Sequence, residues 1–183
     1  MGIVMAAMRP AHIAGLVLND IGPEIDSTGV QRIAGYAGKL PSVSSWAEAA
    51  AQTKSVYGLA LPGLTDEDWL DYARRGYREN ENGVPVPDVD PKIGEAFKNT
   101  SAAAPDLWPL YAQIKGVPML VIRGTRSDIL SAATVARMAR EKPDLEHVEV
   151  ADRGHTPLLN EPQCVAAIDA FVARYGEGRP YEK

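Results

Sequence analysis

The chain has 183 residues, 45% of them apolar and 23% charged, with a formal net charge of −5, an ordinary composition for a globular protein able to bury a sizeable core. Its charges form no block of like sign and no basic stripe, which argues against nucleic acid or an anionic membrane as partner. The single cysteine, Cys164, excludes an internal disulfide and points to a reducing compartment, read as the cytoplasm.

The chain opens on an apolar run, Met1 to Met8, which stops at Arg9-Pro10. It lacks the positive leading region and the length of a signal peptide. No stretch of the sequence is apolar enough for long enough to span a membrane. The residue pattern after Gly2 also fails the myristoylation motif. The run reads as a helix without an N-cap, entered partway along as though upstream elements were missing. The alternative is a buried helix that starts the chain. Leu16-Val17-Leu18 follows as a buried strand.

Between residues 22 and 105 the pattern changes to helices in Pro-, Gly- and Ala-rich sequence, with no convincing core strand. One helix is predicted from Ser45 toward Tyr57. A second starts at Thr65, where Thr65 and Asp68 have capping-box spacing, and runs to Tyr77. A loop over 79–90 then leads into a short helix at 92–97. The aromatic residues here, Tyr57, Tyr72, Tyr77, Trp46 and Trp69, pack the insertion or line a substrate pocket. At helical spacing the packing role has the stronger case.

Met119 to Ile122 is a second continuous apolar strand, suited to a parallel sheet covered on both faces. A helix over 131–140 carries Val135, Met138 and Ala139 on one face. The strand at 148–150 alternates, as a strand near an edge would. The last helix, 161–175, repeats Cys164, Val165, Ile168, Phe171, Val172 and Tyr175 along one stripe, so Cys164 reads as a packing residue. The tail 176–183 is polar. The layout is strand, helical insertion, strand, helix, strand, helix, and such an insertion is a natural lid over the carboxyl ends of the strands.

Two loops follow predicted strands at those ends. One carries Asp128 in Arg123-Gly124-Thr125-Arg126-Ser127-Asp128-Ile129-Leu130, the other His155 in Asp152-Arg153-Gly154-His155-Thr156-Pro157. A carboxylate and an imidazole so placed can meet above the sheet. The acid would then fix the ring tautomer and leave the other nitrogen to accept a proton. Asp20, at the end of the first strand, is an alternative acid, although its place before Gly22-Pro23 suits a turn residue better. Asp152 suits a surface turn. The three histidines are scattered without Cys or paired carboxylates, which predicts no metal site.

The pattern R-G-x-x-S-D-I-L followed by G-H-x-P-x-x-x-E-P, preceded by L-V-L-N-D-I-G-P at 16–23, resembles the second half of α/β-hydrolase-fold enzymes. The resemblance runs from Met1 to about Tyr175 and is loose in the insertion. It implies an α/β fold: the last three strands of a parallel sheet with flanking helices and a helical cap. The expected division is 1–21 core helix and strand, 22–105 cap, and 106–183 the C-terminal part of the core. It also implies a triad with Asp128 as acid and His155 as general base. Ile129 is expected to face the pocket from its position beside Asp128 alone.

The nucleophile of that family sits in a G-x-S-x-G elbow, and no such motif occurs in the 183 residues. The elbow and roughly a hundred residues of earlier elements would precede Met1. The resemblance therefore implies hydrolysis of a small ester, lactone or related carbonyl compound, without a cofactor, by a protein of which this chain is a truncated and inactive form. The competing expectation is a non-catalytic interaction module. An unpaired edge at the Leu16 strand predicts self-association in either case.

Overall fold

The computed structural model describes residues 1–90, 92, 93, 95 and 105–176. The helix expected at 92–97 and the polar tail therefore lie wholly or largely outside the described residues. Chain contacts divide the protein into two compact units, Met1–Thr28 with Ala104–Lys183, and Gly29–Ala103. In chain order the elements are α1 (Gly2–Met8), β1 (Leu16–Asn19), α2 (Ser27–Tyr36), α3 (Trp46–Tyr57), α4 (Asp66–Gly76), β2 (Tyr77–Glu79), β3 (Pro85–Pro87), α5 (Trp108–Tyr111), β4 (Met119–Gly124), α6 (Ala132–Glu141), β5 (Glu146–Val150) and α7 (Pro162–Tyr175). Among the described residues no helix is long and apolar enough to cross a membrane.

The first unit is a parallel sheet in the order β1-β4-β5. Leu16 is in register with Met119, and Gly124 with Val150. All six residues of the middle strand β4 are buried, as its unbroken apolar run predicts. Side chains of a strand alternate between faces. Met119 and Val121 accordingly join Ile3, Ala6, Leu18, Trp108, Tyr111, Val135 and Met138 in one core. Leu120 and Ile122 join Val150, Cys164 and Phe171 in the other.

The outer strand β1 is less buried than its sequence suggests, with only Leu18 fully enclosed. The stripe on α7 is also narrower than predicted. Cys164 and Phe171 are buried, whereas Val165 and Val172 are exposed. Burial, with the neighbouring Glu161 carboxylate, pushes the Cys164 thiol up to about 11, so this sulfur stays protonated and packs.

The second unit rests on its helix starts. The Ser45 hydroxyl accepts from the Glu48 amide at α3. Thr65 and Asp68 form the reciprocal capping box at α4. The span read as a plain loop at 79–90 instead holds a short hairpin, with Tyr77 paired to Pro87 and Glu79 to Pro85. Two prolines hide it, because a residue without an N–H is a poor ladder member. The available signal is Asn82-Gly83, a favoured hairpin turn pair. Gly83 has φ +74°, and the Asn80 side chain accepts from the amides of Asn82 and Val84.

Leu120 is 1% exposed in the middle of the sheet. Leu120→Ala should therefore cost about 2–5 kcal/mol, read as a lower urea midpoint at unchanged slope.

Candidate active site

Parallel strands end at a common edge, and three loops leave that edge side by side: residues 20–23 after β1, 124–131 after β4 and 151–157 after β5. The Asp20 amide donates to the Ile122 carbonyl at 2.7 Å, one residue beyond the β1 ladder. The chain then turns through a left-handed conformation at Asp20, φ +55°, which aspartate tolerates better than most residues. That turn leaves the Asp20 side chain completely buried.

Three donors meet this carboxylate. The Gly124 amide reaches Oδ1 at 2.9 Å, the Ser127 hydroxyl reaches Oδ2 at 2.6 Å, and His155 Nδ1 reaches Oδ2 at 2.8 Å. His155 Nδ1 also lies 3.1 Å from the Asp20 carbonyl. A carboxylate and a carbonyl only accept, so Nδ1 carries the proton. Nε2 of the neutral ring is then the lone-pair nitrogen. The imidazole is 21% exposed, which leaves it oriented from within and reachable from without.

Asp128 was expected against the imidazole, but the carboxylate bonded to the ring is that of Asp20. The reason lies at Gly124. A Cβ built there would stand 2.2 Å from the Arg153 carbonyl and 2.8 Å from that of Gly154, so the loop after β5 passes directly over the end of β4. It thereby carries His155 across the middle strand to the end of β1. The Asn19 side-chain Nδ2 donates to the Pro157 carbonyl at 3.1 Å and holds the far side of the crossing.

Asp128 is half-buried, near Asp26. The Thr28 amide holds the Asp26 carboxyl below its usual value, and the Asp128 charge opposes that effect. Ile129, expected to face a substrate, is 3% exposed, its amide donating to Ser127 Oγ and its carbonyl accepting from Asp26. Ser131 caps α6. The part played by Ser127 has no sequence signal beyond its place before Asp128. Its hydroxyl donates to Asp20 while accepting from the amides of Ile129 and Leu130. His12 and His147 are exposed, at the end of a short 3-10 helix (Pro10–His12) and on β5 respectively.

The loop bearing His155 has a second anchor. Arg153 and Glu161 pair at 2.8 Å, and the Leu158 amide also donates to Glu161. Burial alone would raise the Glu161 carboxyl. Hydrogen bonds from backbone amides and Arg153 outweigh it and hold the group below its ordinary value of 4.5.

Comparison with known proteins gives a consistent picture. No protein-family profile matches the chain. It is 28% identical over 181 residues to a 3-hydroxybutyrate-oligomer hydrolase of Cupriavidus necator, covering 93% of this chain and 60% of that protein. The solved structure of an alpha/beta hydrolase from Novosphingobium aromaticivorans superposes with a TM-score of 0.86 at 40% identity. That match covers 94% of this chain and 61% of the other. A protein from Rickettsia typhi superposes with a TM-score of 0.80 at 26% identity, over 94% and 58% of the two chains. The chain thus spans about 60% of the relatives it matches.

Gly124→Ala should displace the Arg153–Gly154 segment, because the obstructing atoms are backbone. The expected outcome is a loss of about 1–3 kcal/mol and a shifted His155 ring resonance in NMR spectra. The Glu161 contribution to stability is complete above its unfolded value of 4.5 and is lost as pH falls through the lower folded value. Thermal unfolding of Glu161→Gln should therefore fall less steeply than wild type below that pH.

Proposed function

Because the chain carries the α/β-hydrolase fold, we propose that Asp20 and His155 are the acid and base of a hydrolase that cleaves a small ester, lactone or related carbonyl compound. The observation that carries this reading is the hydrogen bond from His155 Nδ1 to the buried Asp20 carboxylate. The pairing fixes the ring tautomer and stabilises the imidazolium as it forms. Nε2 can then take a proton from a nucleophile and return it to the leaving group, and later do the same for water.

The relatives support the reaction class. The Cupriavidus protein is named for hydrolysis of 3-hydroxybutyrate oligomers, and ester bonds are the linkages of such oligomers. The sequence holds no G-x-S-x-G elbow, so in this proposal the nucleophile and the oxyanion-binding amides come from outside these 183 residues. The chain alone is then a truncated and inactive form. Asp20 replaces Asp128 as the favoured acid on the ground of its contact with the ring.

A second reading, a non-catalytic association module, draws on different observations. Among the described residues β1 has a strand neighbour on one side only, and Met5 and Met8 expose 47% and 68% of their surface on α1. Concentration-dependent sedimentation of a chain that stays inactive in every setting would favour that alternative.

Two assays with a p-nitrophenyl ester test the proposal. The 183-residue chain alone should give no turnover above buffer. A chimera joining it to the preceding segment of the Novosphingobium hydrolase should be active. In that chimera His155→Ala should lower kcat by roughly 10²–10⁴-fold. Asp20→Asn should lower it by as much as about 10⁴-fold, with Asp128→Asn far milder. The reverse order for the two aspartates would return the acid role to Asp128.

A further inference from the structure

The second unit contains a cavity of about 310 Å³ whose lining, among the described residues, comes from that unit. One liquid water occupies about 30 Å³, so the space suits a ligand of roughly ten non-hydrogen atoms, at the small end of ligand sites. Its walls are mainly apolar. Val56 of α3 faces Pro87 and Val89 of the hairpin segment, and the rings of Tyr57 and Tyr72 supply further surface. The two rings stand edge-to-face at 5.5 Å, and Tyr36 meets Tyr57 at 5.8 Å. Tyr57 and Tyr72 form an aromatic wall of the cavity.

The polar groups at the cavity favour one sign of charge. Among the described residues no carboxylate lines it, whereas Arg75 does. The neighbouring arginines are engaged, Arg74 with Asp71 at 3.2 Å and Arg78 with Asp88 at 3.3 Å. Among the described residues no carboxylate lies within ion-pair distance of Arg75. Arg75 is itself a lining residue, and its charge lowers the Tyr72 phenol against the larger effect of burial. The Tyr57 phenol is pushed up to about 12, by burial first and by neighbouring tyrosines second. It therefore stays protonated at neutral pH, with Tyr36 as its hydrogen-bond partner.

We propose that this cavity binds an apolar monocarboxylate, with the hydrocarbon against Val56, Pro87 and the tyrosine rings and the carboxylate on Arg75. A guanidinium gives the anion charge-assisted hydrogen bonds, and the body of the ligand leaves water for an apolar enclosure. The site belongs to the second unit alone and does not rest on the hydrolase reading.

Octanoate has the right size, and octanamide is its neutral counterpart. Calorimetric titration of the 183-residue chain should show saturable one-to-one binding of octanoate. Arg75→Gln, at an exposed position, should weaken octanoate about tenfold and leave octanamide unchanged. Val56→Trp, which fills the cavity, should abolish binding of both. Near-UV circular dichroism and thermal unfolding establish that each variant is folded. His155→Ala should bind octanoate as wild type does, which separates this site from the proposed hydrolytic pair. The absence of saturable octanoate binding would overturn the proposal. So would an Arg75→Gln variant that binds octanoate like wild type.

Discussion

The buried carboxylate of Asp20 is the group on which the strand-end architecture turns. It has no solvent exposure and three donors, two from the loop after β4 and one from the loop after β5. A buried carboxylate is costly without hydrogen bonds, so removing any one donor destabilises the other two contacts. The Gly124 amide ties Asp20 to the end of β4. Ser127 ties it to the loop that leads into α6, and His155 ties it to the loop after β5. The sheet edge behaves as one polar cluster, with the imidazole as its outermost member.

Gly124 has two separate duties in that cluster. Its amide is a donor to Asp20, and its missing side chain lets the Arg153–Gly154 backbone cross over β4. Together they explain how a histidine following β5 reaches an aspartate following β1, although β4 lies between those strands in the sheet. Arg153 and Glu161 then hold the returning chain from beneath. The ring is fixed on its Nδ1 side by groups that can only accept. Directionality at Nε2 follows from the chemistry of the partners.

Much of this was legible in the residues. The unbroken run Met119 to Ile122 marked a middle strand, Ser45 and Thr65 marked helix starts, and His155 was singled out by its place after a strand. Asp20 was read as a turn residue first and an acid second. In the structure it is the turn residue, and the left-handed turn buries its carboxylate against the His155 ring. No local pattern separates Asp20 from Asp128, since each follows a strand at its carboxyl end. The distinction comes from the path of the third loop, which depends on a contact between residues 124 and 153 that sequence periodicity does not encode. The hairpin at 77–87 escaped for a local reason, its prolines outweighing the Asn-Gly turn. Val165 and Val172 show that an apolar stripe can be wider than the surface it packs against.

The distances along the chain between Asp20 and its partners have a consequence for how the cluster comes into being. They are 104, 107 and 135 residues for Gly124, Ser127 and His155, and the whole segment Gly29–Ala103 lies within each closed loop. Contacts of such high sequence separation form late, after local helices and hairpins. The entropy of closing a loop grows only with the logarithm of its length, so doubling the closed loop would add only about 0.6 kcal/mol. Insertions of quite different size and content can therefore be threaded between β1 and β4 while the same carboxylate clasp closes behind them.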